Sequence, residues 1–366
     1  MISSRQRSDA RRAERIASPR TLRRRLPLDR PSAGVVTHAR AAIRAALHGQ
    51  DDRLVVVVGP CSIHDAEGAL EYARRLHPHL AATKDALVVV MRTYFQKPRT
   101  SIAWKGFLYD PTLDGSCDVA SGLACARALL QQILRLGVPC GSELLDPLGA
   151  LYLEDLLSWS VIGARTAESP LHREMASGLP MPVAFKNNTH GSVEAAVHAM
   201  SAGGHAQSFL GSDLAGRASV VRTAGNPDCH LVLRGGETGP NYSPEAIASA
   251  LELVGADVGR PVMVDCSHGN SSKDHRRQGS VCRAVLRQVA AGQEGVLGLL
   301  LESNLRPGRQ TLRPGRPLLP GVSITDSCIG FAETARLLHE IAATVRDRRG
   351  ARGLAGGPGS GISSMA

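Results

Sequence analysis

Cys61, His268, Glu302 and Asp326 offer sulfur, nitrogen and oxygen donors. Such a mixed set suits one divalent first-row metal, Mn, Fe, Co or Zn, and differs from the thiolate-rich set of a structural zinc site. Arg92, Arg165, Lys186 and Arg234 each close a short apolar run. Four cations converge only around an anion, because like charges at close range repel strongly. Guanidinium forks suit a phosphate or a carboxylate. Gln96-Lys97-Pro98-Arg99-Thr100-Ser101 places Lys, Arg and hydroxyls on one loop and suggests a second anion site. Two anion sites beside a Lewis acid imply two phosphorylated substrates and formation of a carbon–carbon bond at a polarised carbonyl. Singly, Cys61 reads as a small buried hydrophobe, His268 as a satisfied core histidine, and the loop as ordinary basic surface. The chemistry rests on the set.

The apolar runs are the elements that must position these groups. Residues 54–60 lead into Cys61, 87–91 into Arg92, 138–142 into Glu143 and 161–164 into Arg165. Residues 182–185 lead into Lys186, 230–233 into Arg234, 261–267 into His268 and 296–301 into Glu302. Eight β-branched strands, each delivering a reactive group at its carboxyl end, predict an α/β fold, the (β/α)8 TIM barrel, whose chemistry sits on that rim. Helices are expected over 66–80, 121–136, 148–158, 192–202, 244–254, 276–291 and 331–348, after a lead-in helix over 32–48. Residues 207–210 and 219–223 break the rhythm and read as an inserted β-hairpin between barrel strands five and six, within 206–223. The expected organisation is a basic arm with lead-in helix over 1–50, a barrel over 51–348 and a disordered Gly/Ser-rich tail over 349–366.

The chain has 366 residues, which fits one decorated barrel of the usual size of about 250 residues. Aromatics make up 3% of it, so stacking on nucleic-acid bases is not a theme. No apolar run reaches the roughly 18 residues of a membrane span and no secretory core follows the start, so the expectation is a cytoplasmic protein without membrane partners. Eight dispersed cysteines in a chain this large read as reduced thiols. The net charge of +10 is concentrated at the start, where residues 1–30 hold ten arginines against three acids. That arm reads as a solvated, partly helical extension or a subunit contact rather than a nucleic-acid binder, since no RNA-binding pattern accompanies it.

The segments Gly59-Pro60-Cys61-Ser62-Ile63-His64-Asp65, Lys97-Pro98-Arg99-Thr100, Ile162-Gly163-Ala164-Arg165-Thr166, Phe185-Lys186-Asn187, Leu233-Arg234-Gly235-Gly236, Ser267-His268-Gly269-Asn270 and Ser323-Ile324-Thr325-Asp326 together resemble class I 3-deoxy-7-phosphoheptulonate synthase, over about residues 35–345. The resemblance implies condensation of phosphoenolpyruvate with erythrose 4-phosphate, releasing phosphate, as the opening step of the shikimate pathway. It implies Cys61, His268, Glu302 and Asp326 as metal ligands. Arg92, Arg165, Lys186 and Arg234, with Glu143 beside them, become the phosphoenolpyruvate site. Lys97, Pro98, Arg99 and Thr100 become the erythrose-phosphate loop. Lys97, Cys61 and His268 are then the catalytic residues, with Lys97 as proton carrier at the aldehyde oxygen. The family's Phe-Lys-Asn-Gly-Thr-Asp-Gly is altered to Asn188-Thr189-His190-Gly191 after Asn187, and its Glu before the loop is Gln96.

The resemblance further implies a homodimer or homotetramer, and an aromatic amino acid bound near the hairpin and a neighbour's arm. The matching surface is Pro147, Leu151, Pro180, Phe209, Gly211 and Val221. Members sensitive to phenylalanine or tyrosine usually carry serine where Pro180 and Gly211 stand, which predicts weak or absent inhibition by those two. Rival readings are a synthase that joins phosphoenolpyruvate to arabinose 5-phosphate, a secondary-metabolism paralogue, and a catalytically retired regulatory paralogue. Loss of a metal ligand would mark the last; all four are present.

Overall fold

A computed structural model of the chain describes residues 13–98, 103–255, 261–313 and 315–355. The strands are β1 (Leu54–Gly59), β2 (Leu87–Arg92), β3 (Cys140–Glu143), β4 (Trp159–Ile162), β5 (Val183–Lys186), β6 (Gln207–Ser212), β7 (Ala218–Thr223), β8 (Cys229–Leu233), β9 (Val262–Asp265), β10 (Val296–Asn304) and the short β11 (Ile329–Gly330). β1 to β5 and β8 to β10 pair in parallel in that order, and β10 returns to pair with β1 from Val55–Gly298 to Gly59–Glu302. That last pairing closes an eight-stranded barrel. Gly298 permits it: a Cβ there would fall 1.8 Å from the Val55 carbonyl oxygen.

Val, Leu and Met fill strands that are buried on both faces, as a parallel sheet covered by helices requires. Alternation divides them. Val55, Val57, Val88, Val90, Trp159, Val161, Ala184, Val232, Met263 and Leu300 pack inside the barrel. Leu54, Val56, Val58, Leu87, Val89 and Met91 face the helices. The barrel floor is closed by Ile43 and Leu47 of the lead-in helix, which join the inner cluster.

The helices are α1 (Pro19–Arg25), α2 (Arg30–Leu47, the lead-in), α3 (Ala66–Thr83), α4 (Val119–Arg135), α5 (Pro147–Leu153), α6 (Pro170–Gly178), α7 (Glu194–Gly204), α8 (Pro244–Val254), α9 (Gln278–Ala290) and α10 (Phe331–Ala355). Two differ in kind from the sequence expectation. The helix expected over 148–158 stops at Leu153 and tightens into a 3-10 turn over Glu154–Leu156. The reason is external: Arg40 takes the Glu154 and Leu157 carbonyls at 2.6 and 2.7 Å, so those groups need no further helical turn. α6 was not expected, because nine residues beginning at a proline give too little period to detect. α10 continues beyond residue 348 to Ala355, held by Arg346 on Asp85 and Arg349 on Asp52, so the expected disordered tail over 349–366 begins as helix, and its residues 356–366 lie outside the described residues.

β6 and β7 form the antiparallel hairpin, with Phe209 opposite Val221 and Gly211 opposite Ser219. The arm is less solvated than its composition suggests. Ser18 caps α1 by accepting from the Thr21 amide, Arg23 pairs with Glu154 at 2.8 Å, and the Arg20 amide donates to Leu214 in the hairpin turn. All eight cysteines are free thiols. Among the described residues no helix is long and apolar enough to cross a membrane.

Candidate active site

The inward alternation delivers the site. Two residues beyond an inward core residue the side chain points inward again. Counting from Val90, Gly141, Ala184, Val232, Met263 and Leu300 gives Arg92, Glu143, Lys186, Arg234, Asp265 and Glu302. All six are buried. Charges at the mouth of an apolar cylinder persist only if partnered or if a ligand completes them.

Some are partnered. Arg92 Nη2 donates to Glu302 Oε1 at 3.1 Å, and its guanidinium lies 4.0 Å above the Tyr94 ring. Lys186 Nζ donates to Asp265 Oδ2 at 2.7 Å. Others are free for a ligand. Among the described residues, Arg92 Nη1 is buried without a hydrogen-bond partner. Among the same residues the Arg234 guanidinium donates to its neighbour's carbonyl at 3.2 Å, while its backbone amide donates to Asn187 Oδ1 at 2.7 Å. Burial lowers the Arg234 pKa, and Arg165 close by lowers it further, while Asp265 opposes both. Arg165 itself is exposed, beyond the end of β4. Glu143 lies across Gly163, where any Cβ would meet its Oε1. These donors form a cationic cup open to solvent on the Arg165 side, the shape and charge for a small carboxylated phosphate.

The second group adjoins the first through Glu302. Cys61 Sγ and a carboxylate oxygen of Glu302 and of Asp326 all lie within 4.8 Å of one another. Cys61 Sγ is 3.4 Å from Asp326 Oδ2. His268 Nε2 stands 3.6 Å from Glu302 Oε1, at the side of this trio. Soft sulfur and two carboxylates within one cluster, with an imidazole beside it, fit a first-row divalent ion. Without an ion the thiol is disfavoured as thiolate: burial pushes the Cys61 pKa up to about 12, and Glu302 adds to it. Asp326 is held well below the ordinary carboxylate range by Lys97 beside it, against the effect of its burial.

Lys97 Nζ is 2.9 Å from both Cys61 Sγ and Asp326 Oδ2. Burial disfavours its ammonium, but the surrounding Cys61, Asp326 and Glu302 outweigh that and hold its pKa well above the usual lysine value. Pro98 follows, half-buried. Arg99 and Thr100 lie outside the described residues.

Several supporting residues escaped the sequence reading. Asp265 is wholly buried at the end of β9. Gln278 brackets the Glu302 backbone, donating to its carbonyl at 3.0 Å and accepting from its amide at 2.9 Å. Ser62 and Thr325, each next to a candidate ligand, hydrogen-bond at 2.8 Å and so bring Cys61 and Asp326 together. Asp265 had a signal: it is the acid inside the apolar run 261–267, two residues after an inward methionine. Gln96 is buried, receives the Leu145 amide and donates to Tyr109, which makes it a loop support. His190 is exposed and pairs with Glu237 at 2.8 Å.

The remaining surface set is partly gathered. Phe209, Gly211 and Val221 share the less exposed face of the hairpin. Pro147 and Leu151 lie on α5, which packs against β6. The Leu151 carbonyl is taken by Arg23 of the arm, and the Pro180 carbonyl by Arg44 of α2.

The chain matches the DAHP synthetase I family over residues 34–339. It is 48% identical over 328 residues to the Tyr-sensitive phospho-2-dehydro-3-deoxyheptonate aldolase of Escherichia coli (strain K12), covering 89% of this chain and 92% of that protein. It is 47% identical over 336 residues to the Phe-sensitive enzyme of the same strain, covering 92% and 96%. A solved structure of the phospho-2-dehydro-3-deoxyheptonate aldolase from Francisella tularensis SCHU S4 superimposes with a TM-score of 0.91 at 41% identity, covering 93% of this chain and all of that one.

Proposed function

This chain belongs to the DAHP synthetase I family, and we propose that the barrel-rim residues described above carry that family's reaction. The enzyme is a 3-deoxy-7-phosphoheptulonate synthase: it joins phosphoenolpyruvate, erythrose 4-phosphate and water into 3-deoxy-D-arabino-heptulosonate 7-phosphate and phosphate, the first shikimate-pathway step. The observation that carries the residue assignment is the adjacency of two groups through one side chain: Glu302 touches Arg92 of the cationic cup and belongs to the Cys61–Asp326 donor cluster.

Arg92, Arg165, Lys186 and Arg234 bind phosphoenolpyruvate and offset its charge, so that a second phosphate can approach. Among the described residues, neither Arg92 Nη1 nor the Arg234 guanidinium has a hydrogen-bonded acid to release. Glu143 lies beside these cations, against Gly163. Lys97, Pro98, Arg99 and Thr100 hold the phosphate and aldehyde of the aldose. Cys61, His268, Glu302 and Asp326 would hold one divalent cation, which supplies Lewis acidity at the aldehyde oxygen when bound. Carbon 3 of phosphoenolpyruvate attacks the aldehyde carbon. Lys97, charged and anchored between Cys61 and Asp326, delivers a proton to the aldehyde oxygen. Water adds at carbon 2, and collapse of that adduct releases phosphate. The residues contribute mainly by positioning and by charge preorganised in a dry site.

The metal's identity among Mn, Fe, Co and Zn rests on the donor set alone. We infer a cytoplasmic homodimer or homotetramer; Leu210 and Val220, opposite each other and exposed on the hairpin's outer face, support a partner copy there. An arabinose-phosphate synthase, a secondary-metabolism paralogue and an inactive paralogue are the alternatives. The deciding assay is product formation from the two phosphates, with arabinose 5-phosphate as competitor, with and without chelator. Turnover that requires metal and prefers erythrose 4-phosphate supports the assignment; turnover unaffected by chelation refutes the metal role.

A further inference from the structure

We propose that Asp265 is a positioning residue that joins the phosphoenolpyruvate cup to the metal-ligand group, through Lys186 and His268 held on the same carboxylate oxygen. The inference rests on the assignment of those two groups given above.

The carboxylate is completely shielded from water. Its Oδ2 receives Lys186 Nζ at 2.7 Å and stands 3.0 Å from His268 Nδ1. Its Oδ1 receives the Ser267 amide at 2.9 Å and the Ser267 hydroxyl at 2.5 Å. Every lone pair that faces the protein is therefore met, and the side chain has one orientation. A buried carboxylate so surrounded stays ionised and rigid.

This fixes two ligand-binding groups at once. His268 Nδ1 has acceptors at 3.0 Å, in Asp265, and at 2.7 Å, in the Ser267 hydroxyl. A proton on Nδ1 is thereby favoured, which leaves the Nε2 lone pair directed to the Glu302 side. A carboxylate behind a ligating histidine sets its tautomer and its basicity. His268 holds this pose in the left-handed region, with φ of 55°, and Lys273 closes its turn onto the His268 carbonyl. Lys186 gains from the same oxygen a fixed ammonium that needs no rearrangement before an anion arrives. Among the described residues no hydrogen bond joins Lys186 to His268, so Asp265 is the side chain those two share.

The experiment uses the full chain, with Mn(II) as the metal probe and phosphoenolpyruvate as the anion probe. Mn(II) affinity is read from the electron paramagnetic resonance of the free ion, and phosphoenolpyruvate affinity by calorimetry on metal-free protein. Asp265→Asn is expected to weaken Mn(II) about ten- to a hundredfold, the range for lost partners of metal-bound histidine. It should also weaken phosphoenolpyruvate at least severalfold and leave the KM for erythrose 4-phosphate unchanged. Ser267→Ala removes one support of Oδ1 and also the hydroxyl that stands 2.7 Å from His268 Nδ1, so Mn(II) can weaken by either route. Phosphoenolpyruvate, which this hydroxyl reaches through Asp265, should weaken in the same direction as in Asp265→Asn but by less. A folded Asp265→Asn protein that changes one affinity alone, or neither, overturns the link. Should that variant fail to fold, a wild-type phosphoenolpyruvate affinity in Ser267→Ala overturns it. A wild-type chain that binds neither probe refutes the site assignment itself, and the link with it.

Discussion

Arg92 and Glu302 form an ion pair 3.1 Å long in which both side chains are almost wholly closed to water, 1% and 2% exposed. Two charges so placed cost desolvation that their attraction only partly offsets. Their retention follows from where they stand: Arg92 ends β2 and Glu302 lies on β10, so the pair fastens the anion cup to the metal cluster across β1. Removing Arg92 leaves a carboxylate buried beside Cys61 and Asp326. Arg92→Ala is expected to lose about 3–5 kcal/mol of stability as well as activity. Urea unfolding measures the first, and a loss below about 1 kcal/mol would show that Glu302 finds another partner.

Cys61→Ala should abolish turnover yet leave the chain folded. The substitution removes one sulfur atom from a packed wall, a change of roughly 1–2 kcal/mol. Chelation of the wild type should reproduce the loss, and added metal should reverse it. Circular dichroism and steady-state assays on the same preparations decide; full turnover by the variant refutes Cys61 as a ligand.

The two anion pockets should separate in kinetics. Lys186→Ala and Arg165→Ala should raise the KM for phosphoenolpyruvate far more than that for erythrose 4-phosphate. Arg99→Ala should do the reverse. Lys186 carries an added cost, since its loss leaves Asp265 without its closest cation. Equal shifts of both KM values in all three variants would argue for one shared pocket.

The barrel and the rim were legible because each apolar run ends in a charged or metal-binding residue. The alternation that turns those ends inward is read from the structure, since runs buried on both faces show no period of two in sequence. Arg92, Lys186, Arg234 and Glu302 all follow that rule. His268 and Arg165 do not: each lies three residues past its strand, and the left-handed turn at His268 is a property of the loop's hydrogen bonds. Asp265 obeyed the rule but was absorbed into an apolar run. The 3-10 turn after Leu153 was illegible for a different reason, since Arg40 causes it from more than a hundred positions away. Local pattern carries where an apolar run ends; it does not carry which distant side chain will take a carbonyl.

The lead-in helix is fastened to the barrel floor by Asp228, which meets Arg44 at 2.5 Å and His48 at 2.9 Å. Burial pushes this carboxyl's pKa up, but Arg44 and His48 outweigh burial and the net shift is downward. A depressed folded value means the contribution is complete above the unfolded carboxylate pKa of about 3.9, and is lost as pH falls through the folded value. Arg44→Ala should therefore cost about 1 kcal/mol at neutral pH, the modest size reflecting a half-exposed arginine. The difference from wild type should shrink below roughly pH 4. Thermal unfolding at neutral and acid pH tests this; a difference that grows on acidification would reverse the sign.

Feedback by phenylalanine or tyrosine should be weak or absent, even though the two Escherichia coli relatives are named for sensitivity to tyrosine and phenylalanine. The hairpin face that carries Phe209, Gly211 and Val221 offers an effector apolar contact but no side-chain hydroxyl at 211 or 180. A side chain could not simply be restored at 211, because a Cβ there would lie 2.8 Å from Val221 Cγ2. Loss of a hydrogen bond to a charged ammonium or carboxylate costs about 1.5–3 kcal/mol, or roughly ten- to a hundredfold in affinity. The arm adds a second obstacle. Arg23 occupies the Leu151 carbonyl and pairs with Glu154, so an acceptor and an acid that could have met an ammonium are already taken. Tryptophan is the third effector to compare. Dose–response curves for the three amino acids at subsaturating phosphoenolpyruvate, on wild type and on Arg23→Ala, separate the two obstacles. Arg23→Ala should raise sensitivity if the arm is the stronger one and leave it unchanged if the missing hydroxyls are. Micromolar inhibition of the wild type by phenylalanine or tyrosine would refute the reading of this surface.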